Sequence, residues 1–266
     1  MYSSTTIAAL ITGTVLAFVI PIASVIVFKL KNRDARLPSA LVGAVTFLVF
    51  ALILEQLMHT IILPFVQGNR VSYIIYGALA AGIIEETGRL TAYKVVMKDN
   101  LTAKNAIMMG LGHGGLECLI LLGYTLIGLV GSAIMVNNNG LEITINTLSG
   151  GSAERAESVR AQLEALASYG FGDMALAVYE RLLAMIFHVC MSVLVFHAVT
   201  QPGKMKLYVL AVILHAALDV PAAMYQVGML SLPVVYIIMT VMTAAAVYFI
   251  VTLTKKFNNY DGIRNI

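Results

Sequence analysis

Tryptophan is absent and cysteine occurs only at Cys118 and Cys190 in this chain of 266 residues. Both cysteines fall within apolar stretches, where a thiol is most often a small packing residue, so structural cysteines are expected rather than a disulfide framework. Charge is also scarce. Asp, Glu, Lys and Arg make up 12% of the residues, about half the share usual in soluble domains, while 59% are hydrophobic and the mean hydropathy is +0.88. That balance excludes a soluble globular domain. Lys and Arg outnumber Asp and Glu by 17 to 14, but the excess sits in short loops rather than on a continuous basic face, which argues against a nucleic-acid surface.

Long hydrophobic runs take the place of charge. Windows of about 20 apolar residues give seven candidate spans, at approximately 5–29, 38–64, 71–96, 105–135, 172–199, 205–226 and 231–254. All are expected to be helices, because a backbone in hydrocarbon must satisfy its own hydrogen bonds, and a closed barrel would instead need alternating polarity. The expectation is an all-α polytopic membrane protein, a single integral membrane domain over residues 1–266 with no internal repeat. The first span lacks a basic leading segment and runs too long for a signal peptide, so it is expected to be retained. One set of loops carries Lys29, Lys31, Arg33, Arg36, Lys94, Lys98, Lys104, Lys204, Lys206, Lys255, Lys256 and Arg264, and the other only Arg70, Arg155 and Arg160. The rich side is expected to be cytoplasmic, with the N-terminus outside and the C-terminus inside. The one sizeable loop, 136–171, reads as extracytoplasmic and contains a short amphipathic helix, with Ala156, Val159, Leu163 and Leu166 opposite Glu154, Arg155, Glu157, Arg160 and Glu164. Such a helix either lies on the outer leaflet, caps the bundle or serves as a solvated connector.

Against this background, several ionisable side chains stand inside the apolar spans. Glu85, Glu86 and Arg89 are spaced so that one guanidinium reaches both carboxylates, at i, i+4 and i, i+3. His113 and Glu117 lie one turn apart in Gly112-His113-Gly114-Gly115-Leu116-Glu117, whose glycines permit close approach of a neighbouring helix. Glu180-Arg181 precede Phe187-His188, and the seven-residue spacing puts Arg181 and His188 on one side. His215 and Asp219 again lie at i, i+4, a spacing that presents two ligands to one ion. A charge at mid-membrane costs roughly 2.5–3.5 kcal/mol on the lenient scales, so these groups must meet each other, a metal or water. Depth places them together. At 1.5 Å per residue, His113 and His215 lie on the order of 14 Å from the cytoplasmic ends of their helices, and Glu85 and His188 roughly 21 Å from the outer ends of theirs. Glu55 and His59 read as a local pair near the outer end of the second span, and His197 as an interfacial residue.

Such a layer suits metal-assisted hydrolysis. Three ligands hold Zn²⁺ with one open position, the pKa of its bound water falls to about 7, and a nearby glutamate accepts the proton. His113, His188 and His215 are the expected metal ligands, with Asp219 or Glu117 as a fourth ligand or as a partner fixing a tautomer, and Glu85 or Glu86 as the base. A metal-free version, with a glutamate activating water, uses the same residues.

Taken together, these residues resemble the YhfC-type family of intramembrane metalloproteases, itself similar to the PrsW-type and CAAX-prenyl-protease/bacteriocin-processing families. The resemblance runs from about residue 40 to 225 and rests on Glu85-Glu86-x-x-Arg89, Gly112-His113-Gly114-Gly115-x-Glu117, Glu180-Arg181 with Phe187-His188, and His215-x-x-x-Asp219. It implies that Glu85, Glu86, Arg89, His188, His215 and Asp219 are active-site residues. The second motif of the wider group often reads Phe-x-x-x-His; here Ala184 holds the earlier position and Phe187 directly precedes His188. His113 stands where the PrsW-like version has an apolar residue.

The leading expectation is an endopeptidase acting on a membrane-embedded or membrane-adjacent protein, or a membrane-anchored peptide, in a bacterial plasma membrane. A proton- or cation-coupled transporter would use the same carboxylates and histidines, but would bring inverted repeats and broken helices, and the sequence has neither. A third class is a non-catalytic scaffold or immunity-type membrane protein that keeps the motifs.

Overall fold

The computed structural model describes the backbone of residues 1–264 and the side chains through Phe257; the side chain of Arg264, one of the basic residues used above to orient the chain, lies outside the described residues. The described residues are helical and contain no strand. We number the helices α1 (Ser4–Lys31), α2 (Leu37–Val66), α3 (Arg70–Thr91), α4 (Ala103–Asn139), α5 (Leu141–Ser149), α6 (Ala153–Leu166), α7 (Phe171–Thr200), α8 (Lys206–Gln226) and α9 (Leu232–Arg264). Six of them (α1, α2, α4, α7, α8 and α9) are long and apolar enough to cross a membrane. The remaining expected span forms as α3, followed by a π-helical turn at Ala92–Val96. Glu85, Glu86 and Arg89 sit in its second half and hold its hydropathy down. Exposed aliphatic residues such as Ile22, Leu41, Ile61, Ile213 and Val241 would be a liability in water and are what a lipid-facing helix presents.

Two compact units make up the chain. The first comprises Met1–Ile22 and Cys118–Arg181. Its core is built from Leu10, Ala17, Leu126, Ala133, Ile145 and Leu163. Tyr2 fixes the N-terminus by donating its hydroxyl to the Leu163 carbonyl at 2.7 Å. The loop foreseen at 136–171 contains two helices rather than one. Gly140, at φ +86°, ends α4 and permits the turn into α5, and Gly150, at φ +60°, caps α5 in the left-handed region. The expected amphipathic helix is α6. Leu163 and Leu166 are buried, Ala156 and Val159 pack beside them, and Glu154, Arg155, Glu157 and Glu164 are exposed, so its apolar stripe packs into this unit's core rather than facing solvent. Arg160 makes a two-armed bond to Glu142 at 2.7 and 2.6 Å, which holds that carboxyl below its ordinary range.

The second unit comprises Ala23–Glu117 and Leu182–Ile266. Glycine sets its helix spacing. A Cβ on Gly112 would lie 1.8 Å from the Ala40 carbonyl oxygen of α2, and one on Gly43 would lie 1.9 Å from the Met109 carbonyl oxygen of α4. On the other side of α4, Gly110 and Gly114 lie against the backbone of Val189 and Met185 on α7. His113, between Gly112 and Gly114, is thereby clamped between two helices. α3 and α8 meet at Gly82, which faces Val212 and Ala216. Gly112→Ala is expected to destabilise the protein by about 1–3 kcal/mol or more, because backbone rather than a flexible side chain must move. The check is the thermal midpoint in detergent, with Gly77→Ala, where a Cβ meets open space, as the unaffected control.

Candidate metal centre

Helices α3, α4, α7 and α8 deliver their polar side chains to one buried cluster within the second unit. Glu86, Arg89 and His113 have no exposed surface, and His188, His215 and Glu85 are 5%, 3% and 7% exposed. From α3, the Arg89 guanidinium donates to Glu86 Oε1 and, through Nη2, to His188 Nδ1 at 2.6 Å, and lies 3.9 Å from Glu85 Oε2. Because adjacent helical residues diverge by about 100°, Glu85 and Glu86 take different partners. Glu85 Oε2 accepts from His113 Nε2 at 2.8 Å, whereas Glu86 Oε1 accepts from His215 Nδ1 at 2.6 Å. Glu117 pairs with His188 Nε2. Asp219, with a side chain 34% exposed, places Oδ2 3.7 Å from His215 Nε2, which also stands 3.9 Å from Glu85. His188 stands between the other two imidazoles, with ring centroids 4.7 Å apart for His113 and His188 and 5.3 Å for His188 and His215. Phe47 packs edge-on against His113 and Phe187 against His215, excluding water from the two outer rings.

The donor atoms that converge most closely are those of Glu85, His113 and His188, all within 4.8 Å of one another. Two of the three histidines expected as ligands are in this group, with a glutamate in the third place. His215 turns Nδ1 to Glu86 and leaves Nε2 facing Glu85 and Asp219. One carboxylate and two imidazoles are a donor set that suits zinc. Charge favours a cation as well, since four carboxylates, Glu85, Glu86, Glu117 and Asp219, face a single guanidinium in a water-poor setting. Glu85 and His113 face each other through Oε2 and Nε2, so a metal between them would replace that hydrogen bond and leave the His113 proton on Nδ1. His188 fits with one adjustment. Arg89 has only donors, so His188 Nδ1 accepts and Nε2 carries the proton toward Glu117; ligation through Nε2 therefore goes with release of the Arg89 bond.

A family model described as YhfC intramembrane metalloprotease matches residues 16–240. The chain belongs to this family. It is similar to the uncharacterized membrane protein YhfC of Bacillus subtilis (strain 168), with 32% identity over 265 residues that cover 97% of this chain and 100% of that protein. No solved structure matches it.

A residue that the sequence set apart as half of a local pair also stands within electrostatic range of this cluster. Glu55, paired with His59 at 3.3 Å, is buried and interacts electrostatically with Glu85, His215, Asp219 and Glu117. It is the last residue of a π-helical stretch in α2, Phe47–Glu55, and its place near the outer end of that span is why the sequence paired it with His59 alone. The one available signal was a single carboxylate in a 30-residue apolar helix. Glu180 and Arg181, quoted with the second motif, pair with each other. His197, expected at the interface, is instead buried between Phe196 and Phe257, with Nε2 2.9 Å from Thr254 Oγ1. Its place near a helix end concealed the cover that Phe257 of α9 supplies.

Proposed function

We propose that this YhfC-family chain hydrolyses a peptide bond in a membrane-embedded or membrane-anchored protein, at the cluster shared by α3, α4, α7 and α8. The convergence of Glu85, His113 and His188 within 4.8 Å, on buried faces of helices built for lipid, carries this reading. Those three would hold the metal, with zinc favoured by the donor set, and Glu117, which faces the same His188 nitrogen, would be a further ligand. A bound zinc lowers the pKa of its water to about 7 and polarises the scissile carbonyl.

The chain's own groups divide the remaining work. Glu86 is the base in this reading: its Oε1 is held by Arg89 and His215, while Oε2 is buried with no hydrogen-bond partner among the described residues and is open to a proton. It takes a proton from the attacking water and delivers it to the leaving amine. Arg89 keeps Glu86 ionised and oriented. His215, its Nδ1 anchored on Glu86, presents Nε2 to the side where Asp219 lies and is placed to donate to the developing oxyanion. We further propose a bacterial plasma membrane, from the family resemblance, with the N-terminus outside and the C-terminus cytoplasmic, from the distribution of Lys and Arg.

Comparative membrane proteomics tests the reading. Cells producing the Glu86→Gln variant are expected to accumulate an uncleaved membrane protein that cells with the native chain process. Unchanged processing, with loss of a solute uptake in its place, overturns it in favour of a transporter.

A further inference from the structure

We propose that water reaches the buried cluster along a polar strip made by Glu55, His59 and Tyr76, entered from the Val66 end of α2. The inference rests on the hydrolytic reading, in which each turnover breaks one C–N bond and consumes one water, its hydroxyl going to the acyl carbon and its hydrogen to the amine nitrogen. A site enclosed by apolar helices must therefore be resupplied.

Several independent features of α2 and α3 mark the route. At its inner end, Glu55 is buried in α2, within electrostatic range of Glu85, His215, Asp219 and Glu117. From there polar contacts continue outward: His59 Nε2 lies 3.3 Å from Glu55 Oε1, and His59 Nδ1 lies 2.8 Å from the Tyr76 hydroxyl of α3. At the outer end, His59 lines an open depression of about 330 Å³ with Gln56, Thr60, Leu63, Pro64 and Gln67, large enough to admit water. Gln56, Thr60, Leu63 and Gln67 follow the 4-3-4 spacing of one helix face, so the opening runs along the helix instead of crossing it. Pro64 adds a further reason for water to be present. Lacking an N–H, it leaves the Thr60 carbonyl without its helical donor, a group that is costly in hydrocarbon unless solvated.

The other cavities of this unit contrast with it. One of about 510 Å³ is lined by residues such as Ile107, Leu111, Ile186, Val189 and Val193, and one of about 350 Å³ by Leu41, Val45, Val49 and Phe50. Their walls suit acyl chains rather than water.

Cysteine accessibility in the full-length chain tests the route without relying on activity. With Cys118 and Cys190 replaced by alanine, Gln56→Cys, His59→Cys and Thr60→Cys are each treated in intact cells with a membrane-impermeant thiosulfonate. The thiolate is the reactive form and needs water to exist, so these three should react about tenfold faster or more than Leu57→Cys and Ile61→Cys, which face lipid. Equal rates at both sets overturn the route. A flat labelling pattern in a chain that still cleaves its substrate sinks the route and leaves the hydrolytic reading standing; the expected pattern in a chain whose Glu86→Gln variant still cleaves sinks the base assignment alone.

Discussion

Replacing Arg89 with leucine is expected to leave little folded protein. The guanidinium is fully buried and serves three partners: Glu86, His188 and, at 3.9 Å, Glu85. Deleting it leaves the fully buried Glu86 and the nearly buried Glu85 with His215 as their remaining nearby donor, and breaking a buried pair in this way costs about 3–5 kcal/mol. That is a large part of the 5–15 kcal/mol that holds an ordinary domain folded. The check is the monodisperse yield of Arg89→Leu after detergent extraction, compared with Arg89→Lys. Lysine keeps the charge but delivers it from one point, so it cannot serve Glu86 and His188 from separate Nη atoms. It should restore folding in part. A leucine variant as stable as the native chain would show that the carboxylates find their counter-charge elsewhere.

Glu86→Gln is expected to abolish turnover with little effect on folding. The amide keeps the shape and one acceptor oxygen for Arg89 and His215, but it cannot take a proton. Loss of a positioned general base typically lowers the rate by a factor of 10² to 10⁴. Cleavage in detergent or vesicles reads the effect as a fall in kcat with KM nearly unchanged, because the amide keeps the shape of the carboxylate and loses only its ability to take the proton. A variant that cleaves at the native rate would transfer the base role to another carboxylate, with Asp219, the more exposed acid, the first to examine.

Much of this was legible in the sequence because the membrane makes its demands openly. Apolar runs of bilayer length predicted α1, α2, α4, α7, α8 and α9. The cost of a charge in lipid marked Glu85, Glu86, Arg89, His113, His188 and His215 as groups that had to meet, and depth along each helix placed them in one layer. Glycine at 112 and 114 foretold close helix approach around His113. The pairing within the cluster was less accessible. Whether Glu85 or His215 stands with His113 and His188 depends on how far each helix is rotated about its axis, and that rotation is fixed by contacts such as Gly82 on Val212 and Gly112 on Ala40, which no single segment reveals. Glu55 escaped because its place toward the outer end of α2 separated it by depth from the layer in which the other groups were expected to meet. The helix at 141–149 was passed over because neither its length nor its composition differs from a polar connector; it is defined by Gly140 and Gly150 adopting positive φ at its two ends.

The central claim is that Glu85, His113 and His188 form a metal site inside the membrane. Elemental analysis of the purified full-length chain tests it most directly. The native protein should carry about one zinc ion per chain, as expected of a catalytic site with three protein ligands, and Glu85→Gln and His113→Ala should each lose it while keeping native helicity by circular dichroism. A native chain that cleaves its substrate without metal, or metal content that neither substitution changes, would contradict the account.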